Sequence, residues 1–80
     1  MTLAAKFRAL HLYAAVLPRT EDEIILALYA RQRLTAMGRE RAALLVGRYV
    51  YGLTMEQCAA AAGRSPWWAR KNLVEAMLLL

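Results

Sequence analysis

The chain has 80 residues, of which 60% are hydrophobic and 21% charged, and its 11 basic against 6 acidic side chains give a net charge of +5. A chain of this size forms one domain with a thin core, and its single cysteine and single histidine exclude a disulfide framework, a cysteine-based zinc site and most catalytic triads. The positive charge favours a polyanionic partner, and the excess of apolar side chains favours burial against a second protein surface.

The first predicted helix covers residues 2–17 and is stopped by Pro18. Its apolar run is interrupted by Lys6, Arg8 and His11 and stays shorter than the roughly 20 residues of a membrane span. We therefore expect a soluble, partly buried helix, without a membrane segment or a signal peptide.

The second and third predicted helices are separated by a single glycine. The second begins at a capping box, in which Thr20 and Glu23 bond each other's backbone, and ends at Gly38. The third covers residues 39–51 and is ended by Gly52. High helix propensity and the absence of alternating strand patterns predict an all-α chain.

The fourth predicted helix is short and is followed at once by the fifth. It begins at Thr54, with Gln57 completing a second capping box, and ends at Gly63. The fifth begins at Ser65 as the N-cap, with Pro66 at the first helical position. Such a short connection predicts a helix-turn-helix.

The predicted fold is therefore a small all-α bundle of about five helices in a single domain, residues 1–80. Residues 1–38 form an N-terminal helical hairpin, and residues 39–80 form a helix-turn-helix unit. A steep crossing in the last pair needs small side chains in the fourth helix. The residues expected to face inward are Met55, Cys58, Ala59 and Ala62 from the fourth helix and Ala69, Leu73, Ala76, Met77 and Leu80 from the fifth.

Residues 44–76, LLVGRYVYGLTMEQCAAAAGRSPWWARKNLVEA, resemble the helix-turn-helix of sigma factor region 4. The segment is also similar to the C-terminal part of phage antitermination protein Q and related small phage late-gene regulators. The similarity lies in the Tyr-Gly-Leu entry at residues 49–53 and in residues 65–73. The sequence departs from the pattern at Cys58, where a larger aliphatic residue is usual, and at Trp67 and Trp68, where small polar residues are usual.

The resemblance implies that the fifth helix is a recognition helix for double-stranded DNA, with the supporting helix beside the DNA backbone. An arginine can bond a guanine edge with two hydrogen bonds, and a helix N-terminus can bind phosphate. No acidic residue separates Gln57 from Asn72, so the three basic residues between them form a positive stretch. The DNA-binding residues implied are Thr54, Gln57, Arg64, Ser65, Trp67, Trp68, Arg70 and Lys71.

The outer side of the fifth helix carries Trp67, Lys71, Val74 and Leu78, which is unusually apolar for a helix that only contacts DNA. Val74 and Leu78 either pack on this chain's own first helix or meet a second copy or a partner protein. Trp67 has three possible roles: contact with DNA, contact with protein, or simple packing. Trp67, Val74 and Leu78 are thus the predicted partner or dimer interface.

The sequence predicts a sequence-specific DNA-binding transcription regulator of phage or mobile-element type. We expect a homodimer in the cytoplasm of a bacterial host, with RNA polymerase as a second candidate partner. The chain shows no nucleophile–base pair, metal-ligand set or phosphate loop, so neither catalysis nor a cofactor nor a metal is predicted. The alternative is a phage interaction factor that uses the helix-turn-helix scaffold to bind RNA polymerase or another host protein.

Overall fold

The computed structural model describes residues 1–80 and confirms the predicted all-α class, because it contains five α-helices and no strand. No helix has the length and the apolar character that crossing a membrane requires. The helices are α1 (Leu3–Ala14), α2 (Glu21–Met37), α3 (Arg39–Tyr49), α4 (Met55–Ala62) and α5 (Pro66–Leu79).

The first two helices pack along each other as a hairpin. The capping box at the start of α2 is confirmed: the Thr20 hydroxyl accepts the N–H of Glu23, and the Glu23 carboxylate accepts the N–H groups of Arg19 and Thr20. These backbone donors lower the pKa of Glu23 below its ordinary value. Arg8 of α1 lies 3.6 Å from the same carboxylate and so links the two helices.

Helix α1 ends at Ala14, so the prediction that it extends to residue 17 was wrong. The N–H groups of Ala15 and Val16 both donate to the carbonyl of His11, which ends the regular hydrogen-bond ladder. Pro18 disfavours the helical conformation at Leu17, the residue before it, which lies beyond this end, so the break is local to the backbone bonds of Ala15 and Val16.

Helix α3 ends at Tyr49, so its predicted end at residue 51 was also wrong. The N–H groups of Val50 and Tyr51 both donate to the carbonyl of Val46. Gly52 follows at a φ of +70°, and this turn directs the chain towards α4.

The core is continuous across all five helices. Its largest fully buried side chains are Leu10 of α1 and Leu45 of α3. The ring of Tyr49 lies 4.8 Å from that of Phe7, and its hydroxyl donates to the sulfur of Met77 at 3.2 Å. The buried residues of this core are Leu10, Leu34, Met37, Leu44, Leu45, Cys58, Ala59, Ala69, Leu73, Ala76 and Leu80.

Two polar contacts fix the C-terminal half of α5. The hydroxyl of Tyr29 in α2 donates to the carbonyl of Leu80. Arg41 of α3 forms an ion pair with Glu75 of α5 at 2.5 Å. These contacts join the C-terminal part of α5 to α2 and α3.

Candidate nucleic-acid interface

The turn between α4 and α5 is built by Gly63. This residue has a φ of +66°, a left-handed conformation that glycine adopts without the steric cost of a Cβ. Its N–H donates to the carbonyl of Ala60 at 3.1 Å, and the N–H of Arg64 donates to that of Ala59 at 2.9 Å. These bonds satisfy two backbone carbonyls at the end of α4 while the chain changes direction.

The start of α5 follows the predicted cap. The Ser65 hydroxyl accepts the N–H of Trp68 at 3.2 Å, and Pro66 occupies the first helical position. A side-chain cap of this type stabilises a helix by about 1 kcal/mol. The first turn of α5 is therefore fixed close to the end of α4.

The inner contacts of this pair agree with the sequence except at one position. Cys58 and Ala59 of α4 and Ala69 and Leu73 of α5 are buried, and Met55, Ala76, Met77 and Leu80 are buried or partly buried. Ala62 is exposed, so its predicted inward position was wrong. It lies at the last residue of α4, where an open groove remains between α3 and α4.

That groove follows from small side chains at the α3–α4 contact. Leu44, Leu53, Cys58, Ala61 and Ala62 line it, together with polar side chains at its edge. A larger aliphatic residue in place of Cys58 would reach further into this space. Burial raises the pKa of the Cys58 thiol, so at neutral pH the thiol stays protonated.

Thr54 and Gln57 are exposed, and they cap α4 reciprocally. The Thr54 hydroxyl accepts the N–H of Gln57 at 3.1 Å, and the Gln57 side-chain oxygen accepts the N–H of Thr54 at 2.9 Å. The cap leaves the side-chain NH₂ of Gln57 available as a donor. This donor lies at the exposed N-terminus of α4.

Arg64 lies in the turn and contacts two other side chains. Its guanidinium is 3.2 Å from the carboxylate of Glu40 and 5.2 Å from the ring centre of Trp68. Trp68 is only partly exposed, and its backbone carbonyl accepts the side-chain NH₂ of Asn72 at 2.9 Å. Trp68 is thus a packed residue at the edge of the candidate interface.

Arg70 and Lys71 project from the second turn of α5. Arg70 is 3.8 Å from the carboxylate of Glu56 in α4. The Lys71 ammonium is 5.4 Å from the ring centre of Trp67, which is 67% exposed. Trp67 and Lys71 therefore form one exposed cation–π unit.

The predicted uninterrupted positive stretch needs correction, because the fold brings an acid to two of its three basic residues. Glu40 is 24 positions from Arg64, and Glu56 lies in a different helix from Arg70. Neither partner could be identified from sequence separation. Lys71 is the one base of the three without an acidic partner. Both ion pairs are exposed, and pairs of this kind contribute only about 0–1 kcal/mol.

The outer side of α5 continues beyond Lys71 as an apolar stripe. Val74 is 59% exposed and Leu78 is 81% exposed. The alternative in which both pack on this chain's own first helix was therefore wrong. With Trp67 they extend over roughly 16 Å of the helix, and no residue of this chain covers them.

Comparisons with known proteins found no match among family models, curated proteins or solved structures. The chain also has no group of three or more His, Cys, Asp or Glu residues that could hold a metal ion. The candidate interface is therefore defined by the geometry of α4 and α5 alone.

Proposed function

We propose that this protein is a sequence-specific DNA-binding transcription regulator of phage or mobile-element type, active in the cytoplasm of a bacterial host. The observation that supports the proposal best is the first two turns of α5. They are capped by Ser65, positioned by the turn at Gly63, and exposed with Trp67, Arg70 and Lys71 directed outward. This arrangement suits insertion of α5 into the major groove of double-stranded DNA.

The groove is wide enough to accept an α-helix, and arginine forms two hydrogen bonds with a guanine edge. Arg70 is the residue proposed for this contact. Its long, exposed ion pair with Glu56 is weak enough for a base edge or a phosphate to replace the carboxylate. Lys71 is proposed to contact phosphate as a free positive charge.

The remaining residues surround that contact. Arg64 and the free NH₂ of Gln57, together with Thr54, are proposed to lie along the phosphate backbone. Trp67 is proposed to pack against a thymine methyl group or a sugar, because its ring is the most exposed aromatic surface of α5.

The proposal is tested by binding to a pool of double-stranded DNA across a salt series. Replacing Arg70 and Lys71 together by alanine should weaken binding at low salt and reduce the slope of log affinity against log salt by about 0.9 for each phosphate that is no longer neutralised. The matched control replaces Arg19 and Arg33 by alanine, which removes the same charge from exposed positions outside α4 and α5.

The two double variants distinguish a local contact from a general charge effect. The control should keep a slope close to that of the unmodified protein. Equal decreases of affinity in both variants would mean that net charge alone attracts DNA. Absence of binding at low salt would overturn the proposal.

A second function is favoured by the exposure of Val74 and Leu78. In this alternative the helix-turn-helix is the scaffold of a phage interaction factor, and the apolar stripe of α5 contacts RNA polymerase or another host protein. The Val74→Gln, Leu78→Gln double variant distinguishes the two functions. It should lose binding to purified bacterial RNA polymerase and keep DNA affinity if the stripe contacts protein.

A further inference from the structure

The outer face of α2 carries a short stripe that the DNA-binding proposal does not use. Glu21, Ile24, Leu28 and Arg31 follow one another at intervals of three, four and three residues. At about 100° per residue these side chains fall within an arc of roughly 80°. Ile24 is 46% exposed and Leu28 is 56% exposed, and the two charged residues at the ends are also exposed.

The charges at the ends of this stripe have no partner in the chain. The ion pairs of the fold engage the carboxylates of Glu23, Glu40, Glu56 and Glu75, but not that of Glu21. The guanidinium of Arg31 also takes part in no ion pair or side-chain hydrogen bond; only its backbone carbonyl is engaged, by the Thr35 hydroxyl. The stripe thus has an apolar centre, with an unpaired acid at one end and an unpaired base at the other.

The stripe is complementary to itself when reversed. Suppose that two copies of α2 pack antiparallel, with the two-fold axis crossing each helix at the level of residue 26, midway along the stripe. Glu21 of each copy then faces Arg31 of the other. In the same register Ile24 faces Leu28. A two-fold interface uses the same surface on both subunits. The spacing of three, four and three residues reads the same in both directions, so each of the four positions meets a complementary position of the other copy.

We propose that α2 binds α2 of a second copy of this chain in this antiparallel arrangement. A parallel arrangement would place Glu21 against Glu21 and Arg31 against Arg31, which like-charge repulsion disfavours. The exposed stripe of α5 is less suited to a second copy, because its only charged residue, Lys71, is positive. The α2 interface leaves α5 free, so it does not depend on the DNA-binding proposal.

The interface is small. Its four contact positions extend over roughly 15 Å of helix, and stable protein interfaces usually bury about 800 Å² on each partner. The dimer should therefore be weak and depend on concentration, with side chains such as Ile25, 57% exposed, at its edge.

Sedimentation equilibrium of the full chain over a wide range of concentrations tests the proposal. Glu21→Lys and Arg31→Glu should each raise the dissociation constant about tenfold, because each single variant places two like-charge pairs in the interface. An equimolar mixture of the two variants should associate more tightly than either alone, since the mixed dimer joins opposite charges at both contacts. The variant with both substitutions should regain self-association.

The matched control uses the same helix and the same changes of charge. Asp22 and Arg33 lie roughly 140° and roughly 160° from the centre of the stripe, so Asp22→Lys, Arg33→Glu and their mixture should associate as the unmodified protein does. Circular dichroism checks that every variant keeps its helices. A monomer at all concentrations would overturn the proposal. So would a dimer that loses affinity with Val74→Gln and Leu78→Gln but not with the charge variants of α2.

Discussion

The outer faces of α2 and α5 both expose apolar side chains, but their charges are arranged differently. On α2, Ile24 and Leu28 lie between a free acid and a free base. On α5, Trp67, Val74 and Leu78 are accompanied by Lys71 alone. The first pattern is complementary to its own reverse, whereas the second carries a single positive charge and has no such complementarity.

This difference in charge bears on two roles, self-association and partner binding, that the sequence predicts for one surface of α5. The predicted interface at Trp67, Val74 and Leu78 was expected to serve either a dimer or a partner protein. The charge patterns favour α2 for the proposed second copy and leave α5 for the proposed DNA or protein partner. Both proposals can hold together, because the two faces belong to different helices.

The largest effect is expected from a core substitution, because it destabilises the fold that positions both α2 and α5. Leu45 is fully buried in α3, so Leu45→Ala should lower the free energy of unfolding by about 2–5 kcal/mol. Urea denaturation followed by circular dichroism measures this decrease. The comparison variant Leu78→Ala removes an exposed side chain and should change stability by no more than about 0.5 kcal/mol. A large destabilisation in Leu78→Ala would mean that its side chain is covered.

A smaller effect is expected from the caps that start the two helices. Thr20→Ala and Ser65→Ala should each cost about 1 kcal/mol, measured by thermal or urea unfolding. Only the α2 cap should depend on acid pH, because it includes the Glu23 carboxylate, whereas the α5 cap is a serine hydroxyl.

The direction of that pH dependence follows from the lowered pKa of Glu23. The stabilisation is complete above the ordinary carboxyl value of 4.5, decreases as the pH falls, and is lost below the pKa of the folded state. Glu23→Gln keeps a hydrogen-bond acceptor but does not titrate, so its stability should change less between neutral and acid pH. An unchanged pH profile in this variant would contradict the assignment.

The smallest effect on stability is expected from polar replacements on the two outer faces. Leu28→Gln and Leu78→Gln should each unfold within about 0.5 kcal/mol of the unmodified protein, because both side chains are exposed. Sedimentation equilibrium should nevertheless separate them, with weaker self-association in Leu28→Gln alone. The reverse result would move the dimer contact to α5.

Local chemistry made the helices predictable. Thr20, Thr54 and Ser65 cap three helices as predicted, and Gly63 forms the turn between α4 and α5. These features depend on residues close in the chain, so their pattern is visible without a fold. The ends of α1 and α3 were less predictable, because extra bonds to the carbonyls of His11 and Val46 end them early.

The candidate site was predictable only in part. The exposure of Trp67 and the burial of Ala69 follow from helical periodicity. The acids beside Arg64 and Arg70 do not, because they come from other helices. Whether α1 covers Val74 and Leu78 was likewise a question about packing, and the structure leaves both side chains exposed.

The sequence by itself determined the all-α class, the caps and the short turn between the last two helices, because these depend on interactions over a few residues. The tertiary structure decided which charges are already paired and which apolar stripes remain uncovered. Those properties depend on distances between residues far apart in the chain, and such distances exist only once the helices have packed.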